Sequence, residues 1–468
     1  MSCTLMLTAV SPWPGSALQS FVERVEPPTR FVLEGVGPAA LAALMACSVV
    51  AVLASLTGQR RGRSALARLS MGLLGILAVL ASAAVIGARA LDTAAVGLLV
   101  LGVTDLLGSV RGRRAIPAWI VAVASPAALY WAGTRRVDGG GTLELEWLGS
   151  PFSGDPSATT AFLALVIPLF LPGALGGVWA GLSCGPRAAS GSRLAYGLTA
   201  VVRPLAYGVL AAKTLAGTDE LLRIGVAVVW VMPLVALFQR CAAHRLSSLA
   251  YAAFWAILAG QGAATERSAD AFAIGLLGYG LPITGLALVL ALVRGEQAAH
   301  PGLAPDGVGR LFPLTFWLSL LLAAGAAGFP LLGAFHGRVQ SVGALEWNGE
   351  GPTALFVALS AAPLFAMVAL PWIHSVFLTR NVHAGASVPQ RQREPRIFLV
   401  GVALAAAGCL ILGLLPGLFG FLLPFGDLAP QGVPSPLGQA QLLFAAAWVA
   451  SFSKGRMYPS KPALSSTP

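Results

Sequence analysis

Charge is what this sequence has least of. Only 10% of its 468 residues are charged and 56% are hydrophobic, where a soluble domain carries about 25% charged residues. A chain of this length cannot cover a water-facing surface with so few charges, and its mean hydropathy of +0.78 points to a bilayer. Lysine is scarcer still, at three residues against 27 arginines. The five cysteines, Cys3, Cys47, Cys184, Cys241 and Cys409, are scattered, with no CxxC and no Cys/His cluster. That spacing suggests no zinc, iron–sulfur or haem site, so no metal ligand is assigned, and it suits small apolar packing residues. No Walker loop or dinucleotide-binding glycine motif stands in a strand–helix context, and no loop is large enough to hold one. The opening residues "MSCTLMLTAVSPWPG" lack a basic start and a long apolar centre, so no signal peptide is read there.

What the sequence does have is a recurring apolar run of about 20 residues, the length that spans a bilayer as a helix. Such runs predict helices near 38–57, 69–88, 93–110, 116–134, 157–181, 194–216, 221–239, 246–264, 270–293, 311–334, 354–379, 397–424 and 436–453. The runs are continuous rather than alternating, which excludes a transmembrane barrel. The predicted fold is all-α, a polytopic membrane protein of about 13 spans. Residues 1–37 form a non-spanning N-terminal segment, 38–454 the transmembrane domain and 455–468 a tail.

The few charges test this division. Arginine should gather in every other loop if the helices are right. Arg60, Arg61, Arg63 and Arg68 fall in the first loop, and Arg111, Arg113 and Arg114 in the third. Arg187 and Arg193, Arg240 and Arg245, Arg294 and Arg310, then Arg380, Arg391, Arg393 and Arg396 fill the later odd loops, and Lys454, Arg456 and Lys461 the tail. The intervening loops hold most of the acids, among them Asp138, Glu144, Asp219, Glu266 and Glu346. This alternation predicts a multi-pass protein of the inner (plasma) membrane, with its C-terminus cytoplasmic, its N-terminus external and an odd span count. The net charge of +11 is then a topology signal rather than a nucleic-acid footprint, and no nucleic-acid partner is expected.

Inside a bilayer, ionisable residues are costly and tend to mark ion paths or helix pairing. The candidates are Asp105 in "VGLLVLGVTDLLGSV", Arg203 and Lys213 in "LTAVVRPLAYGVLAAKTL", His374 in "LPWIHSVFL", and His336 and Arg338 in "GFPLLGAFHGRVQ". Helix breakers accompany them: Pro168 and Pro172 in "ALVIPLFLPGAL", Pro204, Pro282, and Gly328 with Pro330. Transporters place ion sites at such breaks, where neighbours or water satisfy the released backbone. Each candidate also has a plainer reading. Asp105 can pair with the arginines at its cytoplasmic end, Arg203 can hold a structural ion pair, Lys213 can snorkel to the outer surface, and His374 can bridge helices. His336 is either a titratable path residue or one that faces outer water.

On these residues the chain resembles a known family. The segment Gly302 to Arg338, "GLAPDGVGRLFPLTFWLSLLLAAGAAGFPLLGAFHGR", is similar to the antiporter-like subunits of NADH-quinone oxidoreductase (complex I), most of all subunit N, which read GL-x(4-6)-P and then SLAGIPPLAGFxGK. "AFAIGLLGYGLPITGLALVLAL" resembles the family's YLLAYALxTLGAF, "AFLALVIPLF" its GFKxxxxPFH, "TAVVRPLAYGVLAAKTL" its SxxSKxAxFAxLLRLL and "LVLGVTDLLGSV" its LGLELLSLxLY. The likeness spans roughly 90–380. It implies the antiporter-like fold of proton-conducting membrane transporters, including the Mrp antiporters.

The departures from the family are as telling as the matches. Leu163 stands where the family has the lysine of GFK, Arg203 where it has the lysine of SxxSK, Arg338 where it ends in lysine, and Asp105 where it has glutamate. Arginine does not release its proton near neutral pH, whereas a desolvated lysine can. The resemblance therefore implies a relay that is interrupted at Leu163, the lost relay position, and frozen at two arginines. The expected role is a non-catalytic antiporter-like subunit of a complex I-type oxidoreductase, involved in or descended from proton or ion translocation. The alternatives are a membrane subunit of an Mrp-type antiporter or inorganic-carbon uptake complex, and a non-conducting scaffold. The expected partners are other membrane subunits and the lipid bilayer, with quinone bound only in the assembled complex. No cofactor is expected on this chain: no NADH, flavin or iron–sulfur cluster.

Overall fold

A computed structural model describes residues 29–55, 65–109, 115–138, 156–175, 193–239, 242–263, 265–299, 312–378 and 396–422. Among them every regular element is helical. In chain order these are α1 (Thr29–Ser55), α2 (Ala65–Gly87), α3 (Leu91–Ser109), α4 (Ala115–Asp138), α5 (Pro156–Leu175), α6 (Arg193–Leu215) and α7 (Asp219–Phe238). There follow α8 (Ala242–Leu258), extended by a 3₁₀ turn Ala259–Ala263, then α9 (Glu266–Ala299), α10 (Pro313–Ala327), α11 (Gly333–Trp347), α12 (351–378) and α13 (Arg396–Leu414).

The sequence explains where these helices start and stop. At α7 the Thr218 hydroxyl accepts the Leu221 N–H and caps the N-terminus. At α9 Thr265 and Ser268 bond reciprocally, each hydroxyl taking the other's N–H. Pro313 opens α10, where its missing N–H costs nothing. Two of the three prolines of α12, Pro363 and Pro371, lie beside π-helical turns at Leu364–Ala369 and His374–Leu378, because proline removes a helix hydrogen bond and the winding loosens to compensate.

Helix α9 is the axis of the bundle. Every residue of 268–293 is buried, and α1, α6, α8, α10, α11 and α13 all pack on it. A helix that is apolar and buried all round needs neighbours that approach closely, and small residues permit that. A Cβ added at Gly337 of α11 would lie 2.5 Å from the Gly275 Cα, and one at Gly278 would lie 2.3 Å from the Gly333 carbonyl oxygen. The outside of the bundle is the reverse. In α2 the small Ala78, Ala81 and Ser82 turn inward while Leu73, Ile76, Leu77 and Leu80 are exposed. Leu234, Leu237 and Phe238 of α7 and Trp317 of α10 are exposed likewise. Large apolar side chains outside and small residues inside suit a chain whose solvent is hydrocarbon.

Most expected spans coincide with helices to within a few residues, and two differences stand out. The first helix begins at Thr29, ahead of the expected 38. The run expected as one span at 311–334 is instead α10, a turn at 328–332, and a further helix α11 that hydropathy did not place. Gly333, His336, Gly337, Arg338, Gln340 and Ser341 lower the mean apolarity of α11. Gly333 and Gly337 pack on α9, so a hydropathy window misses it. The span at 436–453 lies outside the described residues.

Candidate functional site: two broken helices

The first break is one of hydrogen bonding within α5, which itself runs continuously from Pro156 to Leu175. Pro168 has no N–H, so the carbonyl of Ala164, four residues back, loses its helical partner. Ser125 of α4 supplies the replacement, its hydroxyl donating to that oxygen at 2.6 Å in a buried contact. One turn on, the Trp255 indole N–H of α8 donates to the Leu169 carbonyl at 3.2 Å. Pro172 releases the Pro168 carbonyl in the same way. Ser125 thus replaces the partner of the Ala164 carbonyl and Trp255 adds a bond on the next turn, both uncharged side chains from neighbouring helices. Leu163 is 47% exposed and lies on the outward side of α5, not in the bundle interior.

The second break joins α10 to α11. Gly328 ends α10 at φ 83° and ψ 36°, a left-handed conformation that glycine adopts without penalty. Its N–H bonds to the Gly325 carbonyl at 3.1 Å, and the Phe329 N–H to the Ala324 carbonyl at 2.9 Å, the paired bonds of a Schellman cap. Pro330 forbids continuation. Leu331 then takes φ 66°, an arrangement that costs a side-chain-bearing residue about 1–2 kcal/mol. The surroundings fix it there: a Cβ at Gly413 of α13 would lie 2.1 Å from the Leu331 carbonyl oxygen, so the two backbones touch.

Helix α11 then presents the candidates. His336 is half-buried, and its Nε2 lies 2.8 Å from the Gly413 carbonyl oxygen at the C-terminal end of α13. Arg338 is only 4% exposed. Its guanidinium lies against Gly328, where an added Cβ would sit 3.2 Å from Cζ, and its buried Nη1 makes no hydrogen bond. A cation at the C-terminal end of α10 faces the negative end of that helix dipole, which partly compensates its burial.

The other candidates are distributed. Arg203 of α6 is 6% exposed and engaged by a neighbour. Next to it the Val202 carbonyl accepts the Ser82 hydroxyl at 3.2 Å, two residues before Pro204. Lys213 does not reach the surface. It is 2% exposed, and its ammonium donates to the Ile86 carbonyl at 2.5 Å and the Ala88 carbonyl at 3.4 Å. It caps the C-terminal end of α2, where unsatisfied carbonyls and the helix dipole both favour a cation. Asp105 lies on α3, one turn from the end of that helix, and α3 packs on α6. His374 opens the second π turn of α12, half-buried and engaged. The fold therefore gathers Gly328, Pro330, His336 and Arg338 at one break, and leaves Pro168, Pro172 and Leu163 at another.

Three residues were missed in the sequence. Arg245, counted there as a loop arginine, sits in the first turn of α8, and its Nη1 donates to the Pro371 carbonyl at 3.2 Å. Asp270 is 2% exposed near the start of the central helix. Its only signal was an acid at the edge of an otherwise apolar run. Ser125, which closes the first break, looked like any small residue in a membrane helix. Among the described residues no three His, Cys, Asp or Glu side chains lie close enough to hold a metal ion.

A buried bundle with apolar outer faces and two proline-marked breaks defines a polytopic membrane protein, and known structures share its architecture. It matches a chain of respiratory complex I from Thermus thermophilus with bound aureothin, at TM-score 0.61 and 20% identity over 86% of this chain and 96% of that one. It matches a chain of the Mrp complex from Dietzia sp. DQ12-45-1b at TM-score 0.61 and 15% identity, over 87% and 85%. A chain of the membrane-bound sulfane sulfur reductase, an archaeal respiratory membrane complex, matches at TM-score 0.63 and 15% identity, over 92% and 74%. All three belong to membrane complexes, and this chain shares their fold. No protein-family model matches the sequence, and no curated protein is similar to it.

Proposed function

We propose that this chain is an antiporter-like subunit of a complex I-type multi-subunit membrane complex, descended from an ion translocator and carrying a degenerate proton relay. The observation that carries the reading is the first break. The carbonyl that Pro168 releases is taken by Ser125, Trp255 bonds the Leu169 carbonyl on the next turn, and the residue in the lost lysine's place, Leu163, looks outward. No titratable group stands where the relay would begin. Arg203 and Arg338 are fixed charges, the first proposed to pair with Asp105 of the adjacent α3. Lys213, His336 and His374 are the remaining basic candidates.

In this reading about 13 spans cross the inner membrane between 38 and 454. Residues 1–37 lie outside and the 455–468 tail in the cytoplasm. Other membrane subunits cover part of the lateral surface, a peripheral arm supplies the redox chemistry, and quinone is met only in the assembled complex. A second reading, a subunit of an Mrp-type antiporter, has support of its own, since the Mrp chain matches at the same TM-score of 0.61 as the complex I chain.

The test is the purified complex in proteoliposomes with a pH-sensitive dye. Weak proton uptake that Asp105→Asn does not alter, beside lower yields of folded complex for Asp105→Asn and Arg203→Ala, supports a degenerate relay. Removing one member of a buried pair costs roughly 3–5 kcal/mol. Robust uptake that Asp105→Asn abolishes, with assembly intact, refutes it.

A further inference from the structure

A groove of about 570 Å³ opens on the outer lateral face between α2, α3 and α4, away from both breaks. Its walls are Leu77 and Leu80 of α2, Val96 and Val100 of α3 and Tyr130 of α4, and Asp92 stands at its mouth. Leu80, Val96 and Tyr130 are each more than half exposed, at 60%, 59% and 53%. The cleft is thus apolar along its length and charged at one end only.

Its length identifies the occupant. From Asp92 to Val100 the wall runs eight residues of α3, about 12 Å at 1.5 Å per residue. That is less than half of a hydrocarbon core of about 30 Å. A partner's transmembrane helix would need a contact running the depth of the membrane. A cleft that starts at a helix end and fades part-way down suits a lipid tail hanging from its headgroup.

The mouth identifies the headgroup. Asp92 begins α3, and its Oδ1 takes the Thr93 N–H at 2.6 Å and the Thr93 hydroxyl at 3.3 Å. Arg89 is exposed in the same short turn, three residues earlier. A carboxylate and a guanidinium three residues apart at the start of a helix match a zwitterion, with an ammonium for Asp92 and a phosphate for Arg89. A primary ammonium donates three hydrogen bonds. A quaternary one donates none, and an uncharged headgroup leaves Asp92 facing the phosphate.

We propose that this groove binds one phospholipid with a primary-ammonium headgroup, phosphatidylethanolamine, one acyl chain lying along α3 between Leu80 and Val96.

Native mass spectrometry of the full-length protein in mild detergent tests this, with phosphatidylethanolamine, phosphatidylcholine and phosphatidylglycerol added at equal concentration. The expected result is one retained phosphatidylethanolamine in preference to the other two. Asp92→Asn should lower that retention about five-fold, the worth of one interfacial ion pair, with the thermal midpoint unchanged. Ala84→Phe, which fills the mouth, should lower it for all three lipids. A photo-crosslinker at Val96, in membranes of the expressing cell, should yield a lipid adduct. Equal retention of the three lipids, retention unaffected by Asp92→Asn, or a crosslink from Val96 to another protein would overturn the proposal, the last by making the groove a subunit contact.

Discussion

The two breaks solve one problem in opposite ways. In α5 the hydrogen bond that Pro168 interrupts is replaced from outside by a serine of α4, and a tryptophan of α8 bonds the next turn. At 328–332 the chain satisfies its own backbone through a Schellman cap, and the neighbours contribute glycines that let α11 lie against α9 and α13 without side chains between them. The first solution uses uncharged donors. The second brings a buried arginine and a half-buried histidine to the break. A proline or glycine in a membrane helix therefore does not announce an ion site. What decides is whether the released backbone is sealed by neutral groups or lies beside charge.

The comparison is broken most forcefully at the glycines. Gly278→Leu places a side chain where a Cβ already meets the Gly333 carbonyl oxygen at 2.3 Å and its carbon at 2.4 Å. Neither helix can retreat, because α11 is held by α13 on its other side. Overpacking costs about 1–3 kcal/mol in forgiving cores and more against backbone, so this variant should lose nearly all folded protein by fluorescence-detected size exclusion. Near-wild-type yield would mean that α9 and α11 are less closely packed than described.

Next in size is Leu163→Lys, which restores the family's residue at the first break. Leu163 faces outward, so the lysine enters hydrocarbon rather than a water path, at about 2.5–3.5 kcal/mol near the bilayer centre. The expected outcome is a lower thermal midpoint and no gain in dye-detected proton uptake. A gain in uptake would show that the first break opens to water and erase its difference from the second.

Arg338→Met sharpens the other side. The guanidinium is buried, its Nη1 has no hydrogen bond, and among the described residues it forms no ion pair. Replacing a buried charge that only a helix dipole compensates with an apolar side chain of similar length is often stabilising. In the isolated subunit the variant should gain about 1–2 kcal/mol, read as a raised midpoint of thermal unfolding. A loss of comparable size would show that Arg338 is held by a counter-charge, and that the second break is as well compensated as the first.

How much of this was legible in the sequence follows from what hydropathy and spacing can see. Length and apolarity locate α2 to α9 closely, because each is a run whose ends coincide with polar residues or proline. The second break was legible as well, since Gly328, Pro330 and Gly333 can hardly sit inside a continuous helix. Helix α11 was not, because a window average cannot distinguish a glycine-lined helix packed on protein from a loop. Facing was also hidden. Leu163 and Arg203 are both simply residues in apolar runs, yet one lies outside and the other inside. Lys213 was misread for a related reason: its partners, the carbonyls of Ile86 and Ala88, are far away in sequence and carry no side-chain signature.

The smallest expected effect tests the mechanism of the seal itself. If Ser125 matters because Pro168 removed the partner of the Ala164 carbonyl, the two residues are coupled through that one oxygen. Ser125→Ala alone leaves a buried carbonyl unsatisfied. Membrane hydrogen bonds of this kind average about 0.6 kcal/mol and reach about 1.7 kcal/mol, so a drop in the thermal midpoint of a few degrees is expected. Pro168→Ala alone restores the backbone N–H and lets the helix satisfy Ala164 internally. In that background Ser125→Ala should be close to neutral, because its acceptor already has a donor. The interaction energy of the cycle then equals most of the single-mutant cost. Additive effects would mean that Ser125 stabilises α4 packing independently of the proline, and that the backbone released at the first break is satisfied by something else, water included. In that case the first break is wet, and the contrast with the second is one of charge alone.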